Sequence, residues 1–423
     1  MFVSPIIVRR LLCSAVLCGA GWALAGCDAP VATFRENKVY LHKQELQQQA
    51  KLEEKHRRDI ADVLESLFGT PDQPLVPPLP DVDVSQVVDA QKLAMSAGRV
   101  LSTKGGNPQG LFREHCVHCH GISGDGAGPT SAYLNPYPRD YRPGIFKFKS
   151  TPKGMKPTHE DLLRVLVDGI PGTAMPSFKV LDEDEVESLV HYVKYLAIRG
   201  EVERKLAEAV GELEKEDRLF DVALKDKNAE KHQQQVAAIR EVSTGVVQKW
   251  LDADSQATSI EKRPDGWQAP EAMAKSVARG RELFYGPIAN CVKCHGDSAL
   301  GDGQASDFDD WAKELEPTKP EIMEEFLALD SHILRPRNIR PRNLRMGIYR
   351  GGRRPIDLYW RIHNGIDGSP MPAAPLRQEG ELADALKLTK DDIWCLVDYV
   401  RSLPNESISN PHEHQPQMPL ARP

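Results

Sequence analysis

Cysteine is scarce in this chain: eight in 423 residues are too few to staple a protein of this length through disulfides. Long apolar runs are missing too, apart from one near the N-terminus, so no series of membrane spans is encoded. Positive charge is not in excess, the formal net charge being −7 at pH 7, which argues against a nucleic-acid partner. Few stretches look like strands, so the expected fold is mainly α. What is present is 40% hydrophobic content spread over 423 residues, more than one ordinary domain holds and suited to two or three.

The N-terminal exception has an internal order. Arg9 and Arg10 precede an apolar run, and small residues follow before Cys27. That order reads as an export signal, and the run is short for an uncut membrane helix. Leu24-Ala25-Gly26-Cys27 resembles the lipobox of bacterial lipoproteins, which implies a signal over 1–26 and lipidation of Cys27. The chain is therefore expected outside the cytoplasm, anchored by lipid on the periplasmic side. Asp28 resembles the inner-membrane retention signal of some enteric bacteria, and the choice of membrane stays open.

The remaining cysteines sort by spacing. Cys13 and Cys18 fall within the signal, while Cys116 with Cys119 and Cys291 with Cys294 form two CxxCH motifs ending in His120 and His295. Cys395 is left over in an apolar helical pattern and reads as a buried, inert thiol. Further blocks repeat in the same order. PRDYRPGIFK at 138–147 matches PRNLRMGIYR at 341–350, DLLRVLVDGIPGTAMP at 161–176 matches DLYWRIHNGIDGSPMP at 357–372, and LVHYVKYL at 189–196 matches LVDYVRSL at 396–403. Two domains of one fold are expected. Apolar spacing predicts a helix leading into each CxxCH, and Thr158 with Asp161, Asp182 with Glu185 and Thr389 with Asp392 have the spacing of capping boxes.

Two thiols separated by two residues can form thioethers with the two vinyl groups of haem, and the adjacent histidine is then held under the iron. A zinc site needs two such pairs close together and has no use for a histidine directly after each. A thioredoxin-like redox pair needs a preceding strand and no repeat. Two covalently bound haem c groups are thus expected, on Cys116, Cys119 and His120 and on Cys291, Cys294 and His295. Met175 and Met371 fall at matched places, each between a Gly-containing turn and a proline, and are expected as second iron ligands. His115, His118 and His363 have no matching histidine in the other copy and are read as packing or surface residues.

With these residues in place, both halves resemble class I c-type cytochrome domains, over roughly 90–200 and 270–405. The resemblance implies a dihaem cytochrome built from helical domains. The expected organisation is a signal peptide (1–26), a lipid-anchored helical stalk and Pro-rich linker (27–86), domain 1 (87–200), a charged helical linker (201–265), domain 2 (266–405) and a tail (406–423). His/Met ligation leaves no open iron position, which favours outer-sphere electron transfer between respiratory redox proteins over catalysis. The alternatives are a dihaem peroxidase-like enzyme and a subunit of a quinol-oxidising or terminal oxidase complex in the membrane. Copy two also carries an acidic insertion, SDFDDWAKELEPTKPEIMEEFLALD, followed by a twenty-residue stretch, 335–354, with eight arginines and no acid. The simplest expectation is that these arginines neutralise haem propionates and pair with the insertion; otherwise they form a docking face for an acidic redox partner.

Overall fold

A computed structural model describes residues 31–48, 52–101, 109–214, 216–260, 262–263, 265–377 and 387–412. Contacts divide the chain into two units, 1–33 and 34–423, and every helix and core residue named below belongs to the second. The signal segment and Cys27 lie outside the described residues.

The architecture is helical, and among the described residues only isolated β-bridges occur. The main helices are α1 (Lys38–Gln48), α2 (Glu54–Phe68), α3 (Ala90–Ser96), α4 (Leu111–His115), α5 (Val117–His120), α6 (His159–Asp168) and α7 (Glu183–Val210). They continue with α8 (Ala229–Leu251), α9 (Pro270–Tyr285), α10 (Val292–His295), α11 (Pro320–Ala328), α12 (Pro355–Asn364) and α13 (Lys390–Ser402). Local sequence sets several of the starts. The backbone N–H of Thr158 donates to Asp161 while the N–H of Asp161 donates to the Thr158 hydroxyl, each at 3.1 Å; Thr389 and Asp392 repeat the exchange at 3.0 and 3.1 Å. Each box satisfies two N–H groups that a helix start would otherwise orphan.

Both copies close in the same way. An N-terminal helix crosses the last helix, α3 on α7 in copy one and α9 on α13 in copy two. Small residues allow the close crossing: a Cβ at Gly280 would lie 2.0 Å from the Cys395 carbonyl oxygen, and Ser188, at the place matching Cys395, is fully buried. Cys395 is half-buried rather than enclosed, and burial raises its thiol pKa. An aromatic pair packs beside each crossing, Phe112 with Tyr192 at 4.8 Å and Phe284 with Tyr399 at 5.4 Å.

The helical segments outside the two copies pack on copy one. Ile60, Val63, Leu64 and Phe68 of α2 join the core of copy one, and Tyr195 donates its hydroxyl to the Phe68 carbonyl. The apolar face that suggested a stalk helix is buried against copy one. Helix α7 also runs past residue 200 without a break, burying Val202, Leu206 and Ala207 completely. A fully buried Val or Leu contributes about 1.5–3 kcal/mol, so the extension strengthens copy one. Helix α8 packs on it, with the Trp250 indole N–H donating to Glu201 at 2.8 Å. The α7 extension and α8 together brace copy one.

Candidate functional site

The geometry at each CxxCH starts from backbone hydrogen bonds. The N–H of His120 donates to the Cys116 carbonyl at 2.8 Å, and that of His295 to Cys291 at 2.9 Å, closing one helical turn that carries both thiols and the imidazole. The chain then folds back. The N–H of Gly126 donates to the His120 carbonyl at 3.0 Å, and that of Gly301 to the His295 carbonyl at 2.8 Å. These glycines have φ of +71° and +82°, and a Cβ would lie 2.7 Å from the Pro138 oxygen and 2.3 Å from the Pro341 oxygen, respectively. Only glycine lets the Pro138-Arg139 and Pro341-Arg342 segments, the Pro-Arg segments, approach so closely.

Those segments supply the acceptor for each histidine. His120 Nδ1–H donates to the Arg139 carbonyl at 3.1 Å, and His295 Nδ1–H to the Arg342 carbonyl at 3.3 Å. A carbonyl can only accept, so Nδ1 carries the proton and Nε2 keeps its lone pair for a metal. Burial pushes the His120 pKa down to about 4 and lowers that of His295, keeping both rings neutral as ligation requires. Tyr141 stacks on His120 with centroids 4.7 Å apart.

The methionines sit in matching loops. The Ile170 N–H donates to the Met175 carbonyl at 3.1 Å, and Ile366 to Met371 at 3.2 Å. The N–H of each methionine is held by a hydroxyl two residues earlier, Thr173 at 3.1 Å and Ser369 at 3.4 Å. In copy one, Cys116, Cys119, His120 and Met175 line one cavity of about 760 Å³. Its walls include apolar Leu162, Phe178 and Val193. Its rim includes Arg139, Arg342 and Arg350, with Arg139 Nη1, Arg342 Nε and Arg350 Nε shielded from solvent and lacking hydrogen-bond partners. Two thiols, a neutral imidazole, a thioether, apolar walls and unpartnered cationic N–H groups fit a flat apolar macrocycle with two carboxylates. In copy two, Cys291, Cys294, His295 and Met371 occupy equivalent backbone positions.

The competing metal readings fare worse. None of the five described cysteines is in a disulfide, and burial pushes the Cys116 and Cys291 thiols up to about 12. Among the described residues, the one group of three or more potential ligands close enough to share an ion is His159, Glu187 and His191, which includes neither motif. One ring nitrogen of each histidine is engaged elsewhere: Lys194 is 3.0 Å from His159 Nδ1, and the Asp89 N–H donates to His191 Nδ1 at 3.1 Å. His363 stacks on Tyr359 at 5.5 Å and bonds Asn364 at 2.7 Å, in keeping with a packing role. His115 lies against Phe178, with centroids 6.0 Å apart, and His118 lines the copy-one cavity.

The copy-two insertion reaches back to copy one. Asp309 pairs with Lys147 at 2.9 Å, Glu314 with Arg204 at 2.6 Å and with Lys43 at 3.4 Å, and Asp330 with Lys38 at 3.0 Å. Trp311 lies over Arg139 and Lys147, 3.9 and 4.6 Å from the ring centroid, and Phe326 is fully buried against His42. Pairing of the insertion with the arginine stretch is thus minor, with Arg335 on Glu324 at 2.7 Å its example. Arg337 instead caps the Leu134 and Ala132 carbonyls of copy one at 2.7 and 2.9 Å. The physical reason is that copy one and α1 supply nearer cations, a match between distant segments that no local pattern announces.

This docking has a pH signature. Burial works against the Glu314 charge, yet Arg204 and Lys43 hold its carboxyl below the ordinary range. A lowered carboxyl pKa contributes stability above the unfolded value, about 4.3, and loses it as pH falls through the folded value. Amide-exchange protection over 310–328 should therefore hold at neutral pH and fall below pH of about 4. Glu314→Gln should lose it already at neutral pH, and equal protection in that variant would count against this account.

Sequence reasoning missed Arg139, Lys147 and Trp311 as residues of the copy-one site. The repeated Pro-Arg dipeptide was the available signal for the first; the other two meet through tertiary contact alone. In comparisons with known proteins, the family model for cytochrome c matches residues 107–197 and again 277–404. No curated protein matches the chain. Among solved structures, a chain of the reducing HAO-like protein complex of Kuenenia stuttgartiensis is 22% identical, covering 69% of this chain and 93% of that one, with a TM-score of 0.41. A likeness that loose carries no argument.

Proposed function

Because this chain belongs to the cytochrome c family, with covalently bound haem c and haem-based electron transfer as its chemistry, we propose that it is a dihaem electron relay, one haem in each copy. When bound, haem c supplies a one-electron iron couple. The chain's part is to anchor it through Cys116 and Cys119, and through Cys291 and Cys294. His120 and His295 would offer Nε2 to the iron, and Met175 and Met371 would offer a thioether. The observation that carries this reading is the repetition, in both copies, of a histidine oriented by the Pro-Arg carbonyl together with a hydroxyl-pinned methionine loop. Two satisfied axial positions favour outer-sphere transfer between protein partners over substrate chemistry.

Export and lipid anchoring at Cys27 complete the proposal, placing the relay on the periplasmic side of a membrane between redox-protein donor and acceptor. No helix among the described residues is long and apolar enough to cross a membrane. The test is a redox titration followed by optical spectra. Met175→His should lower one haem potential by more than a tenfold change in equilibrium, ~59 mV for one electron, and Met371→His the other. Unchanged spectra in both variants would remove the methionines from the ligand set.

A further inference from the structure

The two Pro-Arg segments do more than hold their own histidines. The Arg342 carbonyl accepts from His295 in copy two, while its guanidinium reaches copy one: a Cβ at Gly172, in the Met175 loop, would lie 2.9 Å from Arg342 Nη2. The mirror contact is also made. The Arg139 carbonyl accepts from His120 in copy one, and a Cβ at Gly368, in the Met371 loop, would lie 3.6 Å from Arg139 Nη1. Their neighbours cross with them, Ile348 lying 3.2 Å from the position of a Gly172 Cβ and Ile145 lying 3.1 Å from that of Gly368.

From this geometry we infer that Arg139 and Arg342 are crossed positioning residues, each orienting the histidine of its own copy through its carbonyl and setting the charge beside the methionine loop of the other through its guanidinium. The inference rests on the dihaem reading proposed above. Arg139 Nη1 and Arg342 Nε are shielded from solvent without a hydrogen-bond partner, though Trp311 lies over the Arg139 guanidinium, Asp309, Asp140 and Asp367 act on its charge, and Arg342 Nη2 donates to the Ile348 carbonyl at 3.4 Å. The Met175 and Met371 loops turn on Gly172 and Gly368, at φ of +73° and +66°. With no side chain there, Arg342 is the nearest group to the Gly172 position, while at Gly368 the Trp311 ring lies nearer, 2.9 Å from a Cβ, with Arg139 at 3.6 Å. A positive charge beside an iron favours its reduced form, and low dielectric magnifies the effect.

The test uses the full holoprotein in potentiometric titrations followed by optical and magnetic spectra, with Met175→His and Met371→His assigning each wave to a copy. Arg342→Gln should lower the copy-one potential as well as disturb copy two, by about a tenfold change in equilibrium, ~59 mV. Arg342→Lys, which restores the charge, should recover most of the copy-one value. Arg139→Gln should do the mirror image, and it decides between the outcomes if the Arg342 variant does not fold. A shift confined to the arginine's own copy would overturn the inference. If the methionine variants leave both waves in place, the ligand assignment fails instead, and the crossed arrangement is then judged by whether one arginine variant moves both waves.

Discussion

Serine at both Cys116 and Cys119 should leave the chain one haem lighter by intact mass and abolish the ordered form of copy one, while copy two keeps its haem. The cavity these residues line measures about 760 Å³. Apolar walls such as Leu162, Phe178 and Val193 line it beside the two thiols, and without a bound apolar group that surface would be left against water, which is unfavourable. Loss of one thermal transition and one redox wave, with the other wave retained, is the expected pattern. An unchanged mass would show that these thiols do not carry the haem.

Alanine at Gly301, and to a lesser degree at Gly126, should be among the damaging single-methyl changes in the protein. Positive φ at a non-glycine residue costs about 1–3 kcal/mol, and an added carbon in packed surroundings about 1–3 more. At Gly301 that carbon would stand 2.3 Å from the Pro341 oxygen. Relief requires the Pro-Arg segment to move, and that movement takes the Arg342 carbonyl away from His295. A loss of roughly 2–6 kcal/mol should appear as a lower melting transition for that copy, accompanied by a changed iron spectrum. Gly245, in α8 with open space around its Cβ position, is the control, since alanine there should be neutral or stabilising by about 0.5–1 kcal/mol. Equal effects at 301 and 245 would refute the argument.

The glycines after each CxxCH also mark where sequence reading stopped. Their presence suggests a turn, but the partner of the turn is a carbonyl some dozen or more residues on, and a backbone oxygen leaves no trace in side-chain pattern. The features that were legible had periodic or chemical signatures: the repeated thiols and histidines, the matched methionines and the Thr-Asp caps. Amphipathic spacing in 33–68 and 201–213 correctly indicated buried faces. For 201–213 the neighbouring domains are the expected partner, while the partner of 33–68, copy one's core, has no local signal. The acidic insertion was read against its sequence neighbours, whereas its strongest partners, Lys147 and Arg204, lie more than a hundred residues away. Long-range ion pairs depend on topology, which composition does not encode.

The reciprocal contacts at Gly172 and Gly368 carry one further implication, about ancestry. When residue i of one half touches residue j of the other, and j touches i, the surface is self-complementary, as in a homodimer around a two-fold axis. A single-haem protein bearing this face would pair with itself. Two such protomers joined end to start by way of the brace helices would give a chain of this layout, with the copy-two insertion breaking the symmetry. A chain nicked between its halves should accordingly remain associated, held by a dimer interface that now lies within one polypeptide.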